Sequence, residues 1–178
     1  MRQDRMAQNK LSSILKGGDR RSLGRANRVA ALVLGQPERF PELLECLWCD
    51  EPVVRMRAAD AAEKASAQRA ELLYPFKTEL LGLAAETIQQ ELRWHLALMI
   101  PRLPLTRAER KRTVALLKEF LSDRSSIVKT CALQGLAELA QSDPELRSDV
   151  IIVVERASRT GTPAMKARAR KLLPKLRS

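Results

Sequence analysis

The sequence predicts an all-α protein, a right-handed α-solenoid of about five antiparallel helix pairs. One pattern recurs four times, at 54–59, 92–97, 128–133 and 165–170, with steps of 38, 36 and 37 residues. A period of this length is typical of stacked helical hairpins, because one hairpin cannot bury its apolar face alone. Hydrophobic residues make up 45% of the chain and aromatic residues only 3%, a composition that suits closely packed Ala- and Leu-rich helices. No segment shows the sustained two-residue alternation of a half-buried strand.

We expect ten helices in five pairs, within a single domain of residues 1–178. The pairs span roughly 4–34, 38–67, 70–103, 106–141 and 144–176, with helices at 4–16, 22–34, 38–49, 52–67, 70–84, 87–103, 106–122, 125–141, 144–158 and 162–176. Their short connections favour antiparallel neighbours. The apolar run 150–154 resembles a strand, but it follows a candidate helix cap and precedes Glu155-Arg156-Ala157. We therefore assign it to a buried helix.

Capping residues mark where these helices begin and end. A side-chain oxygen at an N-cap accepts a bond from an orphan amide, and a Glu or Gln three residues later can bond back. This spacing occurs at Thr87–Gln90, Thr106–Glu109 and Ser142–Glu145. Asp50 ahead of Pro52, and Thr162 ahead of Pro163, combine an N-cap with a first-turn proline. The first helix has its apolar side at Leu11, Ile14 and Leu15, and we expect Gly17-Gly18 to end it.

Each second helix of a pair carries one apolar stripe. Its residues recur at i, i+4, i+8 and i+11, which places them within an arc of about 80° on a helix. The stripe residues are Val54, Ala58, Ala62, Ala65; Leu92, Leu96, Ile100, Leu103; Val128, Ala132, Leu136, Leu139; and Met165, Ala169, Leu173, Leu176. We expect all of them to be buried against neighbouring helices.

These residues resemble HEAT repeats, an armadillo-like family. In that family the first helix often carries a proline, a short turn with an Asp follows, and the second helix opens with Val-Arg and small residues. The segment 40–55 fits with Pro41, the third pair keeps Pro75 and Leu92-Arg93, and the fourth keeps Asp123, Val128 and Lys129. The resemblance covers roughly 38–176, extends to the first pair through 24–28, and implies a solenoid whose second helices line a concave face. Pro101 and Pro174 depart from the pattern, and we expect each to kink its second helix.

Two polar columns flank the apolar stripe. The first contains Arg55, Arg93, Lys129 and Lys166, and the second contains Arg57, His95, Cys131 and Arg168. The resemblance implies that the first column pairs with turn aspartates in a ladder between repeats, and Asp50 and Asp123 are placed for that. The alternative is a line of cations on the concave face that contacts phosphates. The candidate partner- or phosphate-binding residues are Arg55, Arg57, Arg93, Lys129, Lys166, Arg168, Arg170 and Lys171.

The net charge of +11 is concentrated at the two ends of the chain. Residues 1–30 carry +6 and residues 156–178 carry +8, whereas the residues between them carry −3. Basic ends attract nucleic acid, acidic proteins or anionic lipid, or they serve only the solubility of terminal repeats. A phosphate-binding line of cations should be continuous, whereas the middle of this chain is slightly acidic. We therefore favour an interaction scaffold for a protein or peptide partner over a nucleic-acid-binding array.

Cysteine usage and hydropathy indicate the compartment. Three cysteines without a disulfide framework fit a reducing environment, and no apolar run approaches a membrane span. We expect a cytoplasmic protein. Cys46-x-x-Cys49 supplies only half of a structural zinc site, so we interpret both residues as buried thiols and expect no metal and no cofactor.

The sequence gives little support to a catalytic role. His95 is the only histidine, and no phosphate-binding loop, dinucleotide-binding turn or zinc-protease motif occurs. HEAT-like alkylpurine DNA glycosylases group aromatic residues and an acid around the damaged base, whereas Trp48, Tyr74 and Trp94 are scattered across pairs here. A DNA base-repair enzyme is therefore the third and least favoured hypothesis, and we predict that the protein is not an enzyme.

Overall fold

The computed structural model describes residues 10–17 and 24–178. Within these ranges the chain forms ten α-helices that pack against one another, and no strand. The helices are α1 (Lys10–Leu15), α2 (Ala26–Gly35), α3 (Phe40–Glu45), α4 (Pro52–Gln68), α5 (Lys77–Glu86), α6 (Gln90–Met99), α7 (Arg107–Phe120), α8 (Ser126–Ser142), α9 (Pro144–Thr160) and α10 (Pro163–Arg177). Short 3₁₀ segments occur at Pro37–Arg39, Cys46–Trp48, Ala70–Phe76 and Ile100–Arg102. The all-α prediction is confirmed.

Most helix bounds lie within a few residues of the predicted ones, and prolines accompany several of the larger differences. The predicted helix 38–49 is α3 flanked by two 3₁₀ segments, and the predicted helix 70–84 opens with the 3₁₀ segment that contains Pro75. Pro101 does not kink its helix: α6 ends at Met99 and a 3₁₀ turn follows, because proline has no amide hydrogen to continue the helix. The predicted residues 4–9, 22–23 and Gly18 lie outside the described ranges.

Two of the predicted N-caps are confirmed. Thr106 accepts a bond from the amide of Glu109, whose carboxylate accepts one from the amide of Thr106, so the capping box is complete. Thr162 accepts from the amide of Met165 at 3.3 Å. The apolar run 150–154 lies inside α9, as predicted.

Three other predicted caps are wrong, each by one or two residues. Thr87 is the C-cap of α5 and accepts from the amide of Gln89, which holds the N-cap position of α6. Ser142 is the last residue of α8, and Asp143 caps α9 by accepting from the amide of Glu145 at 3.1 Å. Pro52 is the first residue of α4, so the N-cap position falls on Glu51 and not on Asp50. Proline in the first turn fixes the helix start in both of the last cases.

The chain divides into two compact units on either side of the Pro75–Phe76 bond; the single-domain organisation stays a prediction. In the first unit α4 packs against α1, α2 and α3, and in the second unit α8 packs against α6, α7, α9 and α10. One second helix thus lies at the centre of each unit.

The predicted apolar stripe is buried almost completely. Fifteen of its sixteen residues are buried, and only Leu173 is half-buried, with Leu172 taking the core position beside it. α8 and α6 approach so closely that a Cβ on Gly135 would collide with the carbonyl oxygen of Ala97. Only glycine fits at this crossing.

Candidate functional site

The candidate site is the exposed side of the second helices in the second unit. Here α6, α8 and α10 present half-buried or exposed residues outside the buried stripe. These are Trp94 and Leu98 of α6, Ile127, Thr130 and Gln134 of α8, and Ala164, Ala167 and Lys171 of α10; we call this set the second-helix face. None of them except Lys171 was predicted as a site residue, although their common positions in the repeat would have singled them out.

Side-chain hydrogen bonds fix α10 beside α8 on this face. Arg168 donates from Nη1 to Oε1 of Gln134 at 3.1 Å, and Gln134 donates from Nε2 to Oε1 of Glu138 at 2.8 Å. Near the helix starts, the hydroxyls of Ser126 and Thr162 lie 2.8 Å apart. The two helices are thereby joined by side-chain hydrogen bonds both near their starts and further along their length.

The arginines of the first column bind main-chain carbonyls. Arg55 donates from Nη1 to the carbonyl oxygen of Cys49 at 2.6 Å and to that of Asp50 at 3.1 Å. Arg93 donates from Nε to the carbonyl oxygen of Thr87 at 2.8 Å. Cys49 and Thr87 both lie six residues upstream of the arginine, where the first helix of the pair ends. Each arginine therefore caps the C-terminus of its partner helix.

Arg93 also makes the ladder contact predicted for Asp123. Its Nη1 lies 2.7 Å from Oδ2 of Asp123, whose side chain is 3% exposed, and its guanidinium lies 5.4 Å from the ring centroid of Phe120. Burial raises the pKa of the Asp123 carboxyl, but bonds from the Ser125 amide and from Arg93 outweigh burial and lower that pKa. One repeat later, at the connection between α9 and α10, the position of Asp123 is taken by Thr160. Lys129 therefore has no carboxylate at the position where Arg93 has Asp123.

Arg57 is not a surface residue, and its assignment to a binding surface is corrected. It is 1% exposed and donates from Nη1 to the carbonyl oxygens of Leu15, at 2.8 Å, and Gly17. Gly24 has a φ of 53°, and a Cβ there would lie 2.9 Å from the guanidinium. Arg57 therefore ties the C-terminal end of α1 to α4. A ligand cannot reach it without opening this contact.

The second column is not a line of cations. His95 is 7% exposed and its ring packs edge-on against Trp94, with centroids 5.7 Å apart. Cys131 is half-buried. With Arg57 buried, Arg168 is the one exposed cation of this column.

In the second unit, the exposed cations of the second helices all lie on α10. Arg168, Arg170, Lys171 and Lys175 are exposed, and Lys166 is half-buried like Lys129. By helical spacing Arg168, Lys171 and Lys175 share one flank of the stripe, whereas Lys166 and Arg170 share the other. Five of the eight predicted site residues are thus at least partly accessible and form no salt bridge within the described ranges: Lys129, Lys166, Arg168, Arg170 and Lys171.

Cys46 and Cys49 are buried thiols outside any disulfide, as interpreted from the sequence. The Cys46 thiol donates to the carbonyl oxygen of Glu42 at 3.5 Å. Within residues 10–17 and 24–178 no three His, Cys, Asp or Glu side chains converge as metal ligands would. No helix in the same ranges is long and apolar enough to cross a bilayer.

A groove of about 310 Å³ lies between the start of α7 and the start of α9. Its charged groups already satisfy one another: Arg107 lies 3.0 Å from Glu145, and Arg110 lies 3.6 Å from Asp143. Arg110 also donates to the hydroxyl of Ser142 at 3.0 Å. The groove therefore joins two helix starts and offers a ligand no unsatisfied charge.

Glu109 gives a pH-dependent contribution to stability. The amide of Thr106, at 2.7 Å, and the ammonium of Lys77, at 2.9 Å, lower its pKa from 4.5 to about 2. Because the folded-state pKa is the lower one, this stabilisation is present above pH 4.5 and is lost as the pH falls toward 2. We expect Glu109→Gln to lower the free energy of unfolding at neutral pH, and this difference from the wild type to shrink through that window.

Urea titrations followed by circular dichroism, repeated at several pH values, measure the difference. Glu119→Gln, at an exposed carboxylate of the same helix, is the matched control. A difference between Glu109→Gln and the wild type that stays constant with pH would show that the Thr106 amide and Lys77 do not lower the pKa of Glu109.

Comparison with protein-family models and with curated proteins gave no match for this chain.

Proposed function

We propose that this protein is a non-enzymatic, HEAT-like interaction scaffold that binds a protein or peptide partner on its second-helix face. The observation that carries the proposal is that the first-column arginines Arg55 and Arg93 already bind groups of the chain itself. Arg55 and Arg93 cap helix ends, and Arg93 is also paired with Asp123. What the second helices then offer a ligand is a mixed apolar and polar surface, which is the usual character of a protein-binding face.

Contacts between successive helix pairs support the HEAT-like array. In the second unit, Lys77 of one pair lies 2.9 Å from Glu109 of the next, and Arg107 lies 3.0 Å from Glu145 of the pair after that. Arg93 and Asp123 make the same kind of link through the turns. In a repeat array each repeat contacts only its neighbours, and these links join successive pairs in that way. We also propose a reducing compartment such as the cytoplasm, because none of the three cysteines forms a disulfide.

Site-specific photo-crosslinking tests the proposed face. A benzoylphenylalanine at Ala167, an exposed residue of the second-helix face, is expected to form covalent adducts with protein from a lysate of the source cells. The same group at Ile152, which is 64% exposed on α9, is the control and is expected to form none. Equal adduct formation at both positions, or none at either, would contradict the proposal.

A nucleic-acid-binding array is the second candidate, and the exposed cations on both flanks of α10 favour it. Lys166, Arg170 and Lys171 could contact phosphates, since the affinity of such contacts depends mainly on accessible Lys and Arg. The same crosslinking experiment separates the two candidates. Adducts at Ala167 that nuclease removes and protease leaves intact would favour nucleic acid over a protein partner.

A further inference from the structure

We propose that the α8–α10 part of the second-helix face binds an acidic peptide segment that also carries an apolar side chain. This inference rests on the proposed function and specifies its partner. The residues that would contact the peptide form two adjoining halves, one apolar and one basic. We call them the α8–α10 patch: Ile127, Ala164, Ala167, Arg168, Lys171 and Lys175.

The apolar half lies toward the N-terminal ends of the two helices. Ile127 is 53% exposed, although isoleucine is among the residues most often buried in folded proteins. Ala164 occupies the same position in its own repeat as Ile127, and Ala167 follows one turn later on the same side of α10. All three side chains are exposed. An apolar side chain of a partner that packs on them would remove Ile127 from water.

The basic half continues along the same side of α10. Arg168, Lys171 and Lys175 follow one another at three- and four-residue spacing, so their side chains project from one flank over about 10 Å of helix. All three are exposed. The Arg168 guanidinium is already oriented by Gln134 at 3.1 Å, so less conformational entropy is lost when it binds a carboxylate. Two or three carboxylates of a peptide would match this row in number and in opposite charge.

The patch suits an acidic peptide better than duplex nucleic acid. Its row of three cations would neutralise at most about three phosphates, so it supplies only a small counterion-release contribution to duplex binding. On α8 the neighbouring positions carry Gln134 and Glu138, bonded to each other at 2.8 Å, so the row does not continue across the face. The apolar half adds nothing to phosphate binding but contributes to peptide affinity through buried area.

Fluorescence anisotropy of labelled peptides against the full-length protein tests the inference. The probe is a fluorescein-labelled peptide of Leu-Asp-Glu repeats, and its uncharged analogue carries Leu-Asn-Gln repeats. We expect the acidic peptide to bind, the uncharged analogue to bind at least ~10-fold more weakly, and the acidic binding to weaken with salt. A labelled DNA duplex is measured in parallel.

Two matched pairs of variants locate the binding. The triple variant Arg168→Gln, Lys171→Gln, Lys175→Gln is expected to reduce affinity at least ~10-fold. The control triple variant Lys111→Gln, Arg112→Gln, Lys118→Gln removes three exposed cations of α7 and is expected to change it less than ~2-fold. Ile127→Ser is expected to weaken binding about 5-fold, whereas Ile152→Ser on α9 leaves it unchanged.

The outcomes separate this inference from the proposed function. Equal loss in both triple variants, equal affinity for the two peptides, or no acidic-peptide binding tighter than about 1 mM would each overturn the acidic-peptide inference. If Ala167 still crosslinks to protein, the proposed function survives and only its partner chemistry is wrong. If Ala167 forms no protein adduct, both fail. If the DNA duplex binds more tightly than the acidic peptide, and the α10 triple variant loses this binding, the partner of the patch is nucleic acid and not a peptide.

Discussion

Ala132→Asp is expected to reduce the free energy of unfolding by roughly 3–5 kcal/mol. Ala132 is fully buried in α8, the helix at the centre of the second unit. A carboxylate there would lose its hydration without gaining a cation, because the stripe around it consists of Val, Leu and Ala side chains. The expected loss is a large fraction of the total stability of a typical domain.

Urea denaturation followed by circular dichroism measures this loss. Ala167→Asp makes the same change at an exposed alanine of α10 and is expected to alter stability by less than about 0.5 kcal/mol. An unchanged denaturation midpoint for Ala132→Asp would mean that the stripe does not form the core of the second unit.

Arg57→Leu is expected to destabilise the first unit by about 3 kcal/mol or more. The substitution removes the donor that serves the carbonyl oxygens of Leu15 and Gly17, and the smaller side chain leaves a cavity beside Gly24. A buried acceptor without a donor, here the carbonyl oxygen of Leu15, and a new cavity both raise the free energy of the folded state. Arg57→Lys should recover only part of the loss, because an ammonium cannot reproduce the geometry of the guanidinium fork.

Arg168→Leu is the matched control, since Arg168 occupies the same position in its repeat but is exposed. Its expected effect is within about 0.5 kcal/mol. If the two arginine variants lose equal stability, Arg57 does not hold α1 as described.

Periodicity predicted the helices and their buried stripe because both depend on local spacing. A residue such as Ala132 shares its position with Ala58, Leu96 and Ala169, and all four are fully buried. Repetition of an apolar position across units is therefore strong evidence of burial. It also places the polar columns at the flanks of the stripe.

The burial of a flank position depends on elements far away in sequence. Arg57 and Arg168 are equivalent in the repeat, yet Arg57 is covered by the end of α1 and by Gly24, 33 to 42 residues upstream. No spacing within the repeat encodes that contact. The cap at Asp143, by contrast, was predictable. Asp143 directly precedes Pro144 as Thr162 directly precedes Pro163, and an N-cap directly before a first-turn proline would have been assigned correctly in both helices.

The helix caps made by Arg55 and Arg93 bear on the order of events in folding. Each joins residues only six positions apart, from the start of a second helix to the end of the first helix of the same pair. The chain closes so short a loop within about 10–100 ns and at low entropic cost. Contacts of this kind can therefore form before any helix finds its distant neighbours. The hairpin turns at 49–55 and 87–93 are the places where we expect native structure to be present earliest in the folding transition state.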